Sequence, residues 1–331
     1  MNVVEQVSIP QYHDPNRFGY REHHTLTAQY GSELRRVLER VTEVVMEPAE
    51  GSRYLVHTVG SDARREKGPV SPVELSIYTD DDTYAEEVVT RVMHFAEKHT
   101  DARFLDRNIE WRNVDRVKPA DFELLSNEGK KVTLKSPNRI YDAVPLYGDM
   151  SLRSKQLELF QEEAMAPRGK RVLDHLKRRL RSHLETTLTG EQRYKGEVIS
   201  HFDPSSGKLW YDDTTRWGTK QGPLRAVQYA LARDKYRMTR DGVDVEVIAD
   251  LPRNTVEQVD CLDELASRTV SREALSSVQD HYTFFQWLYH RSQYAHRWED
   301  EEVVSHDSVE LERRSRDLVD ILEEPTYVFE R

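Results

Sequence analysis

The apolar positions of the chain follow two regimes. Between about 26 and 46, Leu34, Val37, Leu38, Val41, Val44 and Val45 recur at spacings of three and four, which gives a helix one apolar face. Pro48 and Gly51 end that pattern. The period then shortens. Residues 53–59 and 73–78 are β-rich runs on either side of a polar, charged loop from Gly60 to Ser71. Residues 83–99 read as a helix capped by Thr83 ahead of Glu86. Strand-like runs follow at 102–105, 108–114, 132–134 and Arg139 to Val144. Beyond 150 helical spacing dominates, over 150–165, 169–188, 222–238, 256–267, 272–298 and 307–323. In the second of these helices Leu173, Leu176, Leu180, Leu184 and Leu188 form one stripe. A β-hairpin with a Pro/Ser/Gly turn is expected across 198–211. The pattern therefore predicts an arm over 1–25, a mixed helix-and-strand domain over 26–149 and a mostly helical domain over 150–331.

Charge and composition narrow the setting. The 331 residues carry 48 Lys and Arg against 59 Asp and Glu, a net charge of −11. Hydrophobic residues make up 37%, enough for a core in a chain this long under a heavily charged surface. No run reaches the ~18 apolar residues that span a bilayer, and the first residues lack the apolar centre of a secretory signal. The single cysteine, Cys261, forms neither an intrachain disulfide nor a multi-cysteine zinc site. These features lead us to expect a cytoplasmic protein with no membrane partner. Net acidity weighs against general coating of nucleic acid but leaves room for a local basic patch. The basic helix 168–181 supplies one, with Arg168, Lys170, Arg171, Lys177, Arg178, Arg179 and Arg181. It reads either as a face for nucleic acid or an acidic protein, or as an ordinary solvated face opposite the leucines. The histidines include His175 with His183 and His290 with His296, and neither pair has the i,i+4 spacing of a helical zinc site. The aromatic cluster from Tyr282 to Trp298 reads as helix packing, and Asp80 to Asp82 as an acidic helix start favoured by the macrodipole.

The most informative stretch runs from Val59 to Tyr78. A strand leads into Gly60 and Ser61, a charged loop follows, and the next strand carries Glu74. Phosphoryl chemistry on a nucleoside triphosphate needs such parts. Small residues let backbone N–H groups reach phosphate oxygens, a serine hydroxyl adds a donor, and carboxylates hold Mg²⁺. Taken alone, these features equally describe a polar loop between two strands.

The longer string resembles the nucleotidyltransferase motif of the polymerase-β superfamily. It is most similar to the transferase domain of bacterial PII-protein uridylyltransferases and their relatives, which carry Gly-Gly/Ser-x-Gly/Ala-Arg-x-Glu-x-x-Pro-x-Ser-Asp-x-Asp. This chain matches without a gap at Gly60, Ser61, Ala63, Arg64, Glu66, Pro69 and Ser71. It departs at the acids, where the first Asp falls on Pro72 and the second on Glu74, with Ser76 next on the same strand face. The segment Asn138 to Asp149 looks like the family's strand with a third catalytic acid, at Asp142, with Glu110 as a competitor. The segment Gly218 to Gln228 is similar to the family's Gly-Gly-Leu-Arg-Asp helix start. Its free N–H groups, with Lys220 and Arg225, would suit an anion.

The resemblance implies a nucleotidyltransferase-type α/β (α+β) domain with a mixed sheet, followed by a mostly helical domain. It also implies transfer of a nucleoside monophosphate from a triphosphate such as ATP to a hydroxyl. Gly60 and Ser61 would hold the phosphates, with Arg64, Lys67, Lys220 and Arg225 neutralising them. Glu74 and Asp142, with Ser76 beside them, would be the catalytic residues, and Glu74 and Asp142 would ligate Mg²⁺ or Mn²⁺ from neighbouring strands. The acceptor stays open among protein, nucleic acid and small molecule. Pro72 supplies the rival, an inactive relative acting as a nucleotide sensor or partner-binding scaffold. A nucleic-acid-associated protein using the basic helix is the third reading.

Overall fold

The computed structural model describes residues 12–45, 54–70, 74–79, 113–117, 136–167, 169–212, 215–265 and 271–323, with 40–45, 74–79, 113–117, 136, 138, 139 and 262–265 described by backbone alone. Within these, helices and small sheets mix, an α+β composition. The chain forms two compact units. The first comprises Met1–Tyr12, Leu26–Val172 and Thr239–Arg253, and the second His13–Thr25, Leu173–Met238 and Asn254–Arg331. No helix among the described residues is long and apolar enough to cross a membrane.

In the first unit, helix α1 (Tyr20–Val45) contributes its part from Leu26 onward, with Leu34 and Leu38 buried as the spacing predicts. A four-stranded sheet comes next, in the order β3-β2-β1-β4. Its strands are β1 (Tyr54–Thr58), β2 (Glu74–Thr79), β3 (Asn113–Val117) and β4 (Val144–Gly148). A helical turn, α2 (Gly60–Ala63), lies between β1 and β2. Strand β1 is buried along its whole length, as a central strand with apolar neighbours on both sides must be. It pairs antiparallel with β2 and with β4, whereas β2 and β3 run parallel. The sheet is thus mixed. A parallel pair needs a crossover of a dozen residues or more, and the stretch between Thr79 and Asn113 is long enough to supply one. The helix expected at 83–99, the strands at 102–105 and 132–134, Glu110 and Asp80 to Asp82 lie outside the described residues.

The expected strand over Arg139 to Val144 is corrected. Residues Ser136–Asp142 form helix α3, and β4 begins only at Val144. Pro137, in the first turn, suits a helix start because its missing N–H would have no intrahelical partner there. Ile140 and Tyr141 are both buried, which a half-buried alternating strand would not allow. The helix is tied down by Tyr141, whose hydroxyl meets that of Thr239 at 2.7 Å, and by Arg153, which donates to the Ile140 carbonyl at 2.9 Å. Helix α4 (Ser151–Met165) comes next, and Asp149, two residues before its start, accepts from the Ser151 N–H at 2.9 Å. Phe160 of α4 meets Tyr141 edge-on at 5.2 Å.

In the second unit, helix α5 (Gly169–Thr189), taken from Leu173, buries Leu176, Leu180 and Leu184, while Leu188 stands exposed at its end. The single hairpin expected over 198–211 is corrected to two pairings. Strands β5 (Glu191–Tyr194) and β6 (Glu197–Ser200) join through Lys195 and Gly196, at φ 52° and 91°. Two positive φ values in a two-residue loop are what a tight hairpin turn demands. Strands β7 (Phe202–Asp203) and β8 (Lys208–Trp210) then form a three-stranded sheet with β9 (Val303–Ser305). Helices α6 (Pro223–Arg240), α7 (Val245–Ala249), α8 (Thr255–Leu265), α9 (Arg272–Tyr294) and α10 (Ser308–Glu323) complete the chain. Of these, α7 and the last residues of α6 belong to the first unit. Tyr282, Phe284, Phe285 and Tyr289 of α9 are buried and form core, whereas Trp287 and Tyr294 are half-buried and Trp298 beyond the helix is exposed, so the expected packing cluster holds only in part.

Candidate functional site

The loop after β1 begins with a change of handedness. Val59 is extended, whereas Gly60 has φ +62°, a conformation that costs an L residue with a Cβ about 1 kcal/mol or more. That turn lets strand β1 pass straight into α2. The turn then closes on itself. The Arg64 N–H donates to the Gly60 carbonyl at 3.2 Å, and the Glu66 N–H to the Ser61 carbonyl at 2.9 Å. Gly60 and Ser61 are half-buried, so neither sits in a dry core, while Asp62, Glu66 and Lys67 are buried. Arg65 is also left-handed, at φ 59°, and its backbone lies against Gly31 of α1. A Cβ at Gly31 would come within 2.8 Å of the Arg65 Cα, so the helix needs glycine there for the loop to approach.

The charges of this loop pair with one another. Arg64 donates from Nε to Glu66 at 2.9 Å and from Nη1 to Asp142 at 3.1 Å. Lys67, with no exposed side-chain surface, places Nζ 3.0 Å from Asp62. Tyr30 of α1 is held in its protonated form by burial and by the Asp62 carboxylate. Arg64 and Lys67, expected to neutralise a triphosphate, are therefore clamped by carboxylates of their own surroundings. A buried cation held this way is a structural element, because removing either partner strands a charge away from water.

Asp142 and Glu74 do not lie on neighbouring strands, which corrects the sequence expectation. Asp142 closes α3, and the strand after it pairs with β1 rather than β2. A carboxylate at a helix C-terminus is electrostatically unfavourable unless a cation answers it, and Arg64 does so. Asp142 also opposes the fall in the Arg253 pKa that burial causes.

The sheet register brings forward a residue that the sequence did not single out. Glu74 pairs with Asn113, and Ser76 stands between His57 of β1 and Asp115 of β3. Asp115 thus lies on the adjoining parallel strand two residues beyond Asn113, the partner of Glu74. Thr58 pairs with Leu75, so Glu74 begins β2 at the end of the sheet where the Gly60 turn leaves β1. The signal in the sequence was an acid between Val114 and Val117, within a short strand that overlaps the expected run at 108–114.

Lys220 and Arg225 belong to the second unit. A single 3₁₀ turn, Gly218–Lys220, leads to Pro223 at the first position of α6, the place a helix accepts proline. Lys220 lies over the Tyr289 ring at 5.4 Å and Arg225 over Trp217 at 5.8 Å. Around them the histidines are neutral. His183 donates from Nδ1 to the Gln221 carbonyl, which leaves Nε2 as an acceptor. Burial, then Arg225 and Arg179, push its pKa down to about 3. His201 is pushed down to about 4 by burial and then Arg225. Gly222 packs against the α5 backbone, where a Cβ would lie 3.0 Å from the Thr187 nitrogen. The candidate residues therefore fall into two sets, the Gly60 loop with its sheet in one unit and the Lys220–Arg225 segment in the other. Comparison with known proteins finds no family model that matches the chain and no curated protein that matches it.

Proposed function

We propose that this chain is a nucleotidyltransferase-type protein that moves a nucleoside monophosphate from a triphosphate to an acceptor hydroxyl, with Glu74 and Asp115 as its carboxylates. The observation that carries this reading is the register of the mixed sheet. It sets Glu74 and Asp115 on neighbouring parallel strands, two residues apart in register, toward the end of the sheet where Gly60 and Ser61 leave β1. The ion pair between Arg64 and Asp142 supports it further. It joins two stretches of the family likeness that are far apart in sequence, the Gly-Ser loop and the segment from Asn138. Glu74 and Asp115 would supply the hard oxygen donors that Mg²⁺ prefers, whereas Asp142 does not fit that role because its carboxylate is engaged by Arg64. Bound there, the cation would neutralise the triphosphate and ease deprotonation of the acceptor hydroxyl. Gly60, lacking a side chain, leaves its backbone open to a phosphate oxygen, and the Ser61 hydroxyl donates to another. Arg64 acts on this site as a positioning residue that holds the loop.

The second reading, a nucleotide-binding relative without transfer, is favoured by Pro72, which puts a residue with no ligand atom at the first acid position. Turnover separates the two. Four nucleoside triphosphates are incubated with the full chain in Mg²⁺ and in Mn²⁺, and release of pyrophosphate is monitored. The transferase reading expects metal-dependent release that Glu74→Gln lowers at least a hundredfold. Calorimetric binding of a triphosphate with no release under either metal, unchanged by Glu74→Gln, leaves the second reading in place.

A further inference from the structure

We infer that the exposed face of α5 is a docking surface for the phosphate backbone of a nucleic-acid duplex, a proposal that does not rest on the transferase reading. Within the second unit, Arg178 and Arg181 are exposed and Lys177 is half-buried, while Lys170 and Arg171 of the same helix belong to the first unit. At 100° per residue these three share a stripe about 100° wide, apart from the buried Leu176, Leu180 and Leu184. Lys177 and Arg181 are roughly 6 Å apart along the axis at 1.5 Å per residue, close enough for the three to meet neighbouring phosphates of one strand. Arg168, expected in the same patch, lies outside the described residues.

These cations are not ion-paired. Among the described residues, none of the three has a carboxylate within ion-pair distance, although Asp174 and Glu185 share their face. Asp174 and Glu185 are the only acids in the helix. This is not how the chain treats surface arginines elsewhere. On α10, Arg313 pairs with Asp317 at 2.9 Å, Arg316 with Glu312, and Arg314 with Glu310 at 3.0 Å, all at i,i+4. Arg179 of α5, beside the row, has only the face of Tyr229, 5.6 Å away. In a chain of net charge −11, an unpaired basic row on one helix face is a local excess of positive charge to which a polyanion is drawn.

The chemistry of the face selects among polyanions. A membrane-lying helix inserts its apolar side, but that side of α5 is buried in the protein core. A protein partner needs an apolar or aromatic centre to its interface, and the stripe holds only Lys, Arg, Asp and Glu until the exposed Leu188 at its end. Two of the three cations are arginines, whose planar fork matches a phosphate. No residue on the stripe is fixed by packing so as to read bases, so the expected binding is independent of sequence.

The test measures fluorescence anisotropy of a labelled 20-base-pair DNA duplex with the full chain, from 25 to 200 mM KCl. The expected result is binding that weakens with salt, with a log–log slope of about −2.7 for three phosphate contacts. Lys177→Gln/Arg178→Gln/Arg181→Gln should bind at least tenfold more weakly at 25 mM KCl, with the slope shallower by about 2.7. Arg313→Gln/Arg316→Gln on α10 should leave both values unchanged. Thermal unfolding of each variant verifies that it is folded, and Arg178→Glu, a single reversal at an exposed site, must lose affinity in the same direction. The proposal is overturned by no binding at 25 mM KCl. It is equally overturned by an α5 triple variant with the parent slope, or by tighter binding of poly-L-glutamate or phosphatidylserine vesicles than of the duplex at equal anion concentration.

Discussion

Two charged segments of this chain look alike in sequence and are used in opposite ways. The loop after β1 holds Asp62, Arg64, Glu66 and Lys67 within six residues, and all four are paired and enclosed. Helix α5 holds more cations still, and its row faces solvent unpaired, while the one histidine it buries, His183, is kept neutral. The difference lies in the neighbours of each charge. In the loop a carboxylate comes two or five positions from its cation on a chain forced back by Gly60, so pairing is local. In α5 the acids are too few, and the helix directs its charges outward along a straight line. Charge inside the first segment is architecture. Charge on the second is available to a partner.

The comparison predicts its largest effect in acid. His23, His183, His201 and His281 of the second unit are buried with pKa values pushed down to about 3 or 4, in each case by burial first. Their folded values lie below the unfolded value near 6.5, so the stability they contribute is complete above that pH and lost as pH falls toward 4. The slope reaches about 1.4 kcal/mol per pH unit for each histidine fully engaged. Thermal unfolding measured from pH 7 to 4 should therefore show a steep loss of Tm starting below about pH 6.5. A flat profile to pH 4.5 would mean that these imidazoles are protonated in the native state.

The next effect in size belongs to the buried loop. Lys67→Met leaves Asp62 enclosed without its cation and should cost about 3–5 kcal/mol in denaturant unfolding. A smaller effect comes from Asp280 on α9, which accepts from Arg314 at 2.7 Å, Arg21 at 2.8 Å and Tyr20 at 2.8 Å. Burial raises its pKa, but these three hydrogen bonds outweigh burial and bring it down to about 2. Its contribution is present above about pH 4 and lost between about pH 4 and pH 2, and Asp280→Asn should cost about 2 kcal/mol at neutral pH. The smallest effects are on the surface. Arg178→Gln on α5 and Arg313→Gln on α10 should each change stability by no more than about 0.5 kcal/mol, so any large difference between them in ligand binding is a property of the face.

Much of the architecture was legible where periodicity was strong. Leu34 and Leu38 of α1, the leucines of α5 from Leu176 to Leu184 and Tyr282, Phe284, Phe285 and Tyr289 of α9 face inward at the spacing their sequence shows. Strands β1 and β2 begin and end within a residue or so of the β-rich runs. The failures share a cause. Ile140, Tyr141 and Val144 carry strand propensity, but Pro137 and tertiary burial make the first two helical. The turn at Lys195 and Gly196 escaped because lysine is an unusual residue for a positive φ. For the proposed site, the motif points to Gly60 and Ser61 and alternation points to Glu74, but no local pattern states which acid the neighbouring strand carries. Asp142 was chosen by likeness, and Asp115 emerges only from the parallel pairing of two strands distant in sequence. Nor does composition tell a paired arginine from a free one, so Arg64 looked like a phosphate ligand until Glu66 and Asp142 closed on it.

The central claim is that Asp115 serves chemistry and Asp142 serves structure. Calorimetric titration of a nucleoside triphosphate, with and without Mg²⁺, into Asp115→Asn and Asp142→Asn, beside thermal unfolding of both, tests it most directly. Asp115→Asn should abolish the Mg²⁺-dependent gain in affinity with Tm unchanged. Asp142→Asn should keep that gain while losing about 1–3 kcal/mol of stability as Arg64 loses a charged partner. The reverse assignment, with Mg²⁺ dependence lost in Asp142→Asn and retained in Asp115→Asn, would contradict the account.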